Sequence, residues 1–418
     1  MTVTHSGDEC AVIGAGVIGI ACGIRLLDRG YAVTLYDPHP PGSMTSSGNA
    51  GAFAYSDVMP MAAPGTIRKA PRWLLDPCGP LFVRPAMLPA LLPWFVRFCR
   101  ASRSAEVDRL ASALSSLMDT APGDTRRLVA RAGLESLMRG EGAMTLYRSL
   151  RGFRAERLEW EVKARHGVHV EELGADDIRE MEPAVENAAC GRYTRDWQNT
   201  SDPYALSSGL ADFFVRCGGR IRRCRVDRLQ QGGGRVRALV LEGGDEVSVD
   251  RVVIAAGAWS GTFCRQLGER VLLASERGYN TTLPTPGVAL NRQLIFGEEK
   301  FVASRIGDGL RIGGAAEFAG LEAPPNHERN ARFLGIARNY LPALGIEGGV
   351  PWMGHRPSTP DSIPVIGPSA SADNVIYGFG HGHYGLTLAA TTARLVARIA
   401  ACERTDIDIA PFSITRFR

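Results

Sequence analysis

The sequence predicts an α/β protein, one half of which is a Rossmann-like, doubly wound unit. Three observations carry this expectation. A glycine-rich turn, Gly14-Ala15-Gly16-Val17-Ile18-Gly19, stands between an apolar run and a helical pattern. A second short strand ends in an acid, Asp37, 18 residues beyond Gly19. Much later, Arg251–Ser260 (RVVIAAGAWS) reads as a buried strand that runs into the small residues Ala255-Ala256-Gly257. The 418 residues and 45.0 kDa suit two or three domains. With 45% hydrophobic and 22% charged residues the chain has the composition of an ordinary globular protein.

In chain order, Cys10–Ile13 is the first strand, Ile20–Asp28 a helix with Ile20, Ile24 and Leu27 on one face, and Ala32–Tyr36 the second strand. The glycine spacing has a geometric reason: Gly14 permits the tight turn, Gly16 lets backbone approach a pyrophosphate, and Gly19 lets helix and strand pack closely. Phosphates then lie at a helix N-terminus, where free N–H groups and the positive dipole end converge. Asp37 is placed to accept hydrogen bonds from an adenosine ribose. Met44–Gly51 (MTSSGNAG) is a polar run without periodicity. Leu74–Arg139 reads as a helical insertion, with helical spacing around Val107–Leu117 and Thr125–Ala132. Ala143–Tyr147 is a strand, Arg154–His166 a charged helix, and Tyr204–Cys217 a helix opened by Asp202-Pro203 and ended by Gly218-Gly219. Ile221–Leu229, Arg235–Glu242 and Glu246–Ile254 are three strand-like runs forming a small sheet, and Gly232-Gly233-Gly234 is a hairpin loop because no helix follows it.

The net charge of +4 is spread without a Lys/Arg block, which argues against a nucleic-acid partner. Nine scattered cysteines form no C-x-x-C pair and no metal pattern, so a reduced, cytoplasmic protein without a metal is expected. The first ten residues carry no signal-like run. No uncharged apolar stretch reaches the ~20 residues of a membrane span. The nearest approach, Pro85–Phe98, is interrupted by three prolines and Arg97; it reads as a packed helix, with peripheral contact at the inner membrane face as its alternative.

GAGVIG at Gly14–Gly19, SSGNAG at Ser46–Gly51, VVIAAGAWS at Val252–Ser260, GHRPSTPD at Gly354–Asp361 and GFGHGHYGLT at Gly378–Thr387 together resemble the FAD-dependent D-amino-acid oxidase superfamily, and within it bacterial D-amino-acid dehydrogenases. The resemblance runs from about residue 8 to residue 400 and implies FAD rather than NAD. It also implies an interleaved architecture: an FAD-binding domain from segments 8–73, 195–270 and 350–418, and an α+β substrate domain from 74–194 and 271–349. In the sarcosine-oxidase branch a cysteine before the T-P-D sequence holds the flavin covalently. Gly354 stands at the corresponding position, so noncovalent FAD is expected. That branch also positions a lysine for oxygen activation, and Lys300 is the only lysine in the second half of the chain.

By resemblance, the cofactor is held by Gly14, Gly16, Val17, Ile18, Gly19 and Asp37; by Thr45, Ser46, Ser47, Asn49, Ala50 and Gly51; by Val226, Ala256, Gly257 and Trp259; and by Gly382, His383, Tyr384, Gly385 and Leu386. Arg356 pairs with a substrate α-carboxylate, a role suited to its rigid two-pronged guanidinium. Tyr279 lies near that carboxylate or in the pocket wall. His383 and His381 are pocket candidates on a loop whose N–H groups stabilise charge on the reduced flavin. The implied reaction is oxidation of an amino acid at Cα by hydride transfer to flavin N5, with the electrons passed to an acceptor such as a quinone or the respiratory chain. The GHGHYG run points to a cyclic D-imino acid such as D-proline or 4-hydroxy-D-proline. The rival readings are a glycine- or sarcosine-type oxidase that makes hydrogen peroxide and a non-catalytic flavin subunit of an electron-transfer complex. Should Arg356 not be the anchor, Tyr279, Arg277 and Arg292 are the next candidates.

Overall fold

The computed structural model describes residues 8–62 and 81–418. The domain boundary expected at residue 73, and Cys78, lie outside these residues. A six-stranded sheet has the spatial order Arg220–Arg222, Ala32–Tyr36, Glu9–Ile13, Arg251–Ile254, Val375–Phe379, Val365–Pro368. The first five strands are parallel and the last is antiparallel. Its central strands are apolar almost without a break, as required of parallel strands covered on both faces. One face is covered by the helices Val17–Leu27, Pro203–Arg216 and Gly385–Ala400, in a core that includes Ile20, Leu35, Phe214 and Leu388. The other face packs on a three-stranded sheet made of Val226–Gly232, Arg235–Leu241 and Glu246–Ser248.

The small sheet differs from the three runs expected. Ile221–Leu229 divides, its start joining the parallel sheet and Val226 opening the small sheet. Glu246–Ile254 divides in the same way around Val249 and Asp250. The glycine hairpin is as expected: Gly232 pairs with Arg235 across Gly233 and Gly234, both at positive φ, the backbone a two-residue turn demands. The charged helix near residue 160 is two helices, Leu150–Ala155 and Arg157–Arg165. Within the expected helical insertion, the described residues form the helices Leu88–Ala101, Ser104–Met118 and Ala121–Ala132, but also the strand Leu81–Val83, which pairs with Gly309–Phe318, and the short strand Met138–Arg139.

A larger, mostly antiparallel sheet runs Val350–Ser358, Ala274–Leu283, Gly309–Phe318, Phe301–Ile306, Gln293–Phe296, Ala143–Tyr147, Cys190–Thr194, Glu171–Gly174. The helix Glu328–Ala337 closes its core of Phe296, Phe301, Phe333 and Tyr340. Val350–Ser358 is the edge strand, paired with Ala274–Leu283 from Ser358 opposite Ala274 to Val350 opposite Thr282. The two sheets therefore divide between Ser358 and Val365, later than the boundary at residue 350 that the sequence suggested. A bridge from Ser358 to His381 and a bond from the Gly382 N–H to the Pro357 carbonyl tie this edge to the loop after Val375–Phe379. That junction places residues from both sheets around one cavity.

Candidate active site

A cavity of about 1170 Å³ lies between the two sheets. At one end the strand Glu9–Ile13 turns at Gly14, whose φ of 107° suits only glycine. The Ala15 N–H donates to Asp37 Oδ2 at 2.8 Å and the His39 N–H to Oδ1 at 2.9 Å, fixing this carboxylate beside the first turn of the helix. The Val17 N–H donates to Ser46 Oγ at 3.1 Å, joining that turn to the 44–51 loop. Gly14, Gly16, Val17, Ile18, Asp37, Thr45, Ser46, Asn49 and Ala50 all line the cavity. Gly19, Ser47 and Gly51 do not. A Cβ on Gly19 would stand 1.9 Å from the Gly14 carbonyl oxygen, so this glycine serves the helix–strand contact. The Ser47 hydroxyl donates to the Ser43 carbonyl, and the Gly51 N–H donates to Asn49 Oδ1, so both shape the loop from behind. Val226, Ala256, Gly257 and Trp259 line the middle of the wall, and Gly382, His383, Tyr384, Gly385 and Leu386 follow.

At the other end Arg356, from the edge strand, reaches into the cavity across Gly278, where a Cβ would stand 2.3 Å from its Cζ. Its Nη1 donates to Glu276 Oε1 at 3.0 Å and to the Ala315 carbonyl at 2.8 Å. Nη2 and Nε meet no protein acceptor among the described residues. One edge of the fork is held by protein and the other is open. Glu276 is fully buried, and its Oε1 is also bonded by His383 Nε2 at 2.7 Å. Burial pushes the Glu276 carboxyl up, but His383 and Arg356 overcome that and leave it at about 2. The Glu276 Oε2 has no hydrogen-bond partner among the described residues.

The other two candidates, Tyr279 and His381, also line the cavity, but their polar atoms are bonded within the protein. Tyr279 is 1% exposed, donates its hydroxyl to Glu317 and accepts from the Asn326 N–H, so that hydroxyl is used within the sheet core. The His381 ring is buried and bonded to Thr392 Oγ1 at 2.8 Å; burial drops it to about 3, a neutral ring that fastens the loop to the last helix. Arg277 and Arg292 do not line the cavity. Arg277 is spent on three carbonyls at Gly320, Ala323 and Pro324, and Arg292 on Glu182 and the Met181 carbonyl. Lys300 lines the cavity with its ammonium paired to Glu156.

Sequence reasoning missed Glu276, Arg311 and Trp352, all in the cavity wall. Arg311 Nη1 donates to the Ser47 and Asn49 carbonyls and its Nε to Thr282, bracing the 44–51 loop. The indole of Trp352 lies against Gly48 and Gly354, each where a Cβ would come within about 2 Å of it. A side chain at position 354, cysteine included, would force this indole to move.

A family model described as FAD dependent oxidoreductase, DAO, matches residues 9–399. The chain belongs to the DAO family. It is 36% identical over 423 residues to a D-amino-acid oxidase of Bradyrhizobium diazoefficiens, covering 98% of this chain and 99% of that one. It is 31% identical to D-amino acid dehydrogenase 2 of Ralstonia nicotianae, over 98% of this chain and 100% of that protein. Among solved structures, glycine oxidase from Geobacillus kaustophilus has the same fold, with a TM-score of 0.76, 22% identity and coverage of 98% and 99%. As a DAO-family member the protein is an FAD-dependent oxidoreductase, and its residues fit that group. Gly257 and Gly382 have φ of 53° and 51°, and nothing lies within 4 Å of where their Cβ atoms would stand, so bare backbone faces the cavity at two points. The volume also exceeds what a small substrate alone needs. Among the described residues no helix is long and apolar enough to cross a membrane, and no His/Cys/Asp/Glu group could hold a metal.

Proposed function

We propose that this protein oxidises a D-amino acid or a cyclic D-imino acid at Cα, with Arg356 anchoring the α-carboxylate. The observation that carries the reading is the half-held guanidinium of a cavity-lining arginine: Nη1 is fixed by Glu276 and the Ala315 carbonyl, while Nη2 and Nε have no protein acceptor among the described residues. A carboxylate fits that free edge bidentately. The relatives named D-amino-acid oxidase and D-amino acid dehydrogenase support the D configuration.

The parallel-sheet half, segments 8–62, 195–270 and 359–418, holds the cofactor: Asp37 at the ribose, the first turn of Val17–Leu27 at the phosphates, and the Gly382–Leu386 backbone near the ring. The larger sheet supplies the substrate wall. FAD, when bound, supplies a two-electron acceptor for the hydrogen on Cα. What the chain does is hold Cα–H at reacting distance, exclude water, and keep the α-carboxylate paired as the amine becomes an imine. Electrons pass to an acceptor other than NAD, a quinone or respiratory-chain carrier, with the protein cytoplasmic or peripheral at the membrane.

Anaerobic addition of D-amino acids, D-proline, 4-hydroxy-D-proline and their L-enantiomers tests this. The flavin absorbance should bleach with one or more D-compounds and with no L-enantiomer. Bleaching by L-enantiomers alone, or by nothing, would sink the reading. Stoichiometric peroxide in air would identify oxygen as the acceptor.

A further inference from the structure

Two features near Arg356 are unused by the reading above: the buried carboxylate of Glu276, with one oxygen shared and the other orphaned, and the ring of His383. Both Arg356 Nη1 and His383 Nε2 bond the same Glu276 oxygen, so these nitrogens lie within two hydrogen bonds of each other. In an α-amino acid the carboxylate carbon and the amine nitrogen share Cα. Arg356 and His383 line the same cavity, so a substrate held by the open edge of Arg356 shares that space with the His383 ring. The Glu276 carboxylate can only accept, so His383 Nε2 carries the hydrogen and Nδ1 the lone pair. Nδ1 has no protein partner among the described residues, and the side chain is 42% exposed in the cavity wall.

We propose that His383 Nδ1 takes the proton that the substrate's α-ammonium group must lose before oxidation, and that Glu276 is the positioning residue for this transfer. This rests on the function proposed above. The step balances simply: one N–H bond of R–NH₃⁺ breaks, one Nδ1–H bond forms, and no electrons leave the substrate. The nitrogen lone pair so released can then support departure of the Cα hydrogen with its electrons, which an ammonium cannot do. Glu276 stabilises the imidazolium across the Nε2 bond. Arg356 is the other cation on that oxygen, and a bound substrate carboxylate would pair with its open edge. The other ionisable groups around this loop are the Tyr384 hydroxyl, bonded to the Met59 carbonyl and near Asp57, the Lys163 ammonium that pairs with both Asp57 and Glu159, and the neutral His381. Apart from Arg356, none of these groups bonds the Glu276–His383 pair.

The test is log(kcat/KM) against pH for the flavin-loaded wild type, Glu276→Gln, Glu276→Asp and His383→Gln, using a substrate from the bleaching panel. Removing the acceptor should shift the rising limb to higher pH by a unit or more, a loss of ~10-fold or greater at neutral pH that shrinks at high pH, where free substrate is already deprotonated. Glu276→Asp should fall between wild type and Glu276→Gln. Propionate, which has the carboxylate but no amine, should bind His383→Gln about as tightly as wild type when followed by flavin absorbance. An unmoved limb in His383→Gln, or a loss equal at every pH, overturns the proposal and leaves His383 a packing or flavin contact. Marked loss of propionate binding in His383→Gln overturns it as well. If Glu276→Gln does not load flavin, His383→Gln decides alone. A wild type that no amino or imino acid bleaches removes both readings, whereas a bleaching wild type with an unmoved limb removes only this one.

Discussion

Truncating Arg356 would leave a bound carboxylate without its cation and Glu276 with half its compensation. Losing one partner of a desolvated charge pair costs roughly 2–5 kcal/mol, so Arg356→Ala should lower kcat/KM by about 30-fold to several thousand-fold. Lysine should restore part of this, because a point charge cannot bond Glu276, the Ala315 carbonyl and a substrate in one plane. Steady-state kinetics with flavin occupancy held equal checks it. Near-wild-type kcat/KM in the alanine variant would move the anchor to Arg311, the other arginine braced in this part of the wall, since Arg277 and Arg292 point elsewhere. A place for Arg356 in the cavity wall was legible in the sequence because a motif surrounds it. Glu276 was not: a lone glutamate between Ser275 and Arg277 reads as a solvent-facing strand residue, and only the pairing of Glu276 with Arg356 across the sheet shows its burial. Tyr279 and His381 were singled out for the right region, but residue type alone does not say which way a ring turns or who claims its polar atom.

Among the elements, the strand–turn–helix from Glu9 to Leu27 was the most readable, because its spacing is imposed by geometry that no neighbour can override. Its glycines nevertheless do different work, and substitutions separate them. In Gly19→Ala the new methyl meets the Gly14 carbonyl backbone, so helix and strand must part; stability and flavin loading should fall together. In Gly257→Ala the methyl meets no protein atom, so the apoprotein should lose only the ~1 kcal/mol of a left-handed alanine while FAD affinity drops. Thermal melts of the apoproteins beside FAD titrations measure both, and equal behaviour of the two variants would refute the distinction. The split strands near residues 222–225 and 249–250 were unreadable for a physical reason. Arg222 to Arg225 and Val249-Asp250 carry no glycine or proline, so nothing local marks where the chain leaves one sheet for another; the handover is decided by which edge is free.

For the whole molecule, the buried histidines set the response to acid. His381 is held at about 3 by burial, and His355 at about 4 by burial and then by the nearby Arg277. Unfolded, both would bind a proton near 6.5, so between there and pH 4 the unfolded chain gains protons that the native one refuses, and stability falls as pH falls. His381 alone contributes a slope of about 1.4 kcal/mol per pH unit in that window. Glu276, held at about 2, adds its loss only below about 4.5. Urea midpoints should therefore drop steadily from pH 7 to pH 5, and His381→Gln should flatten the slope; a constant midpoint would show that the ring is not buried in its neutral form. The edge strand Val350–Ser358 has a consequence of another kind. Pro351 and Pro357 sit opposite Thr281 and Ser275, at positions whose N–H groups would face outward, and proline has none to offer. The outward carbonyls of His355 and Pro357 are taken by the Thr45 hydroxyl and the Gly382 N–H, both from loops that line the cavity. While those loops are unformed, nine residues of strand keep acceptors exposed to any passing chain. We predict that cells starved of riboflavin will leave a larger share of this protein in the insoluble fraction than supplemented cells; equal shares would refute a link between cofactor supply and protection of this edge.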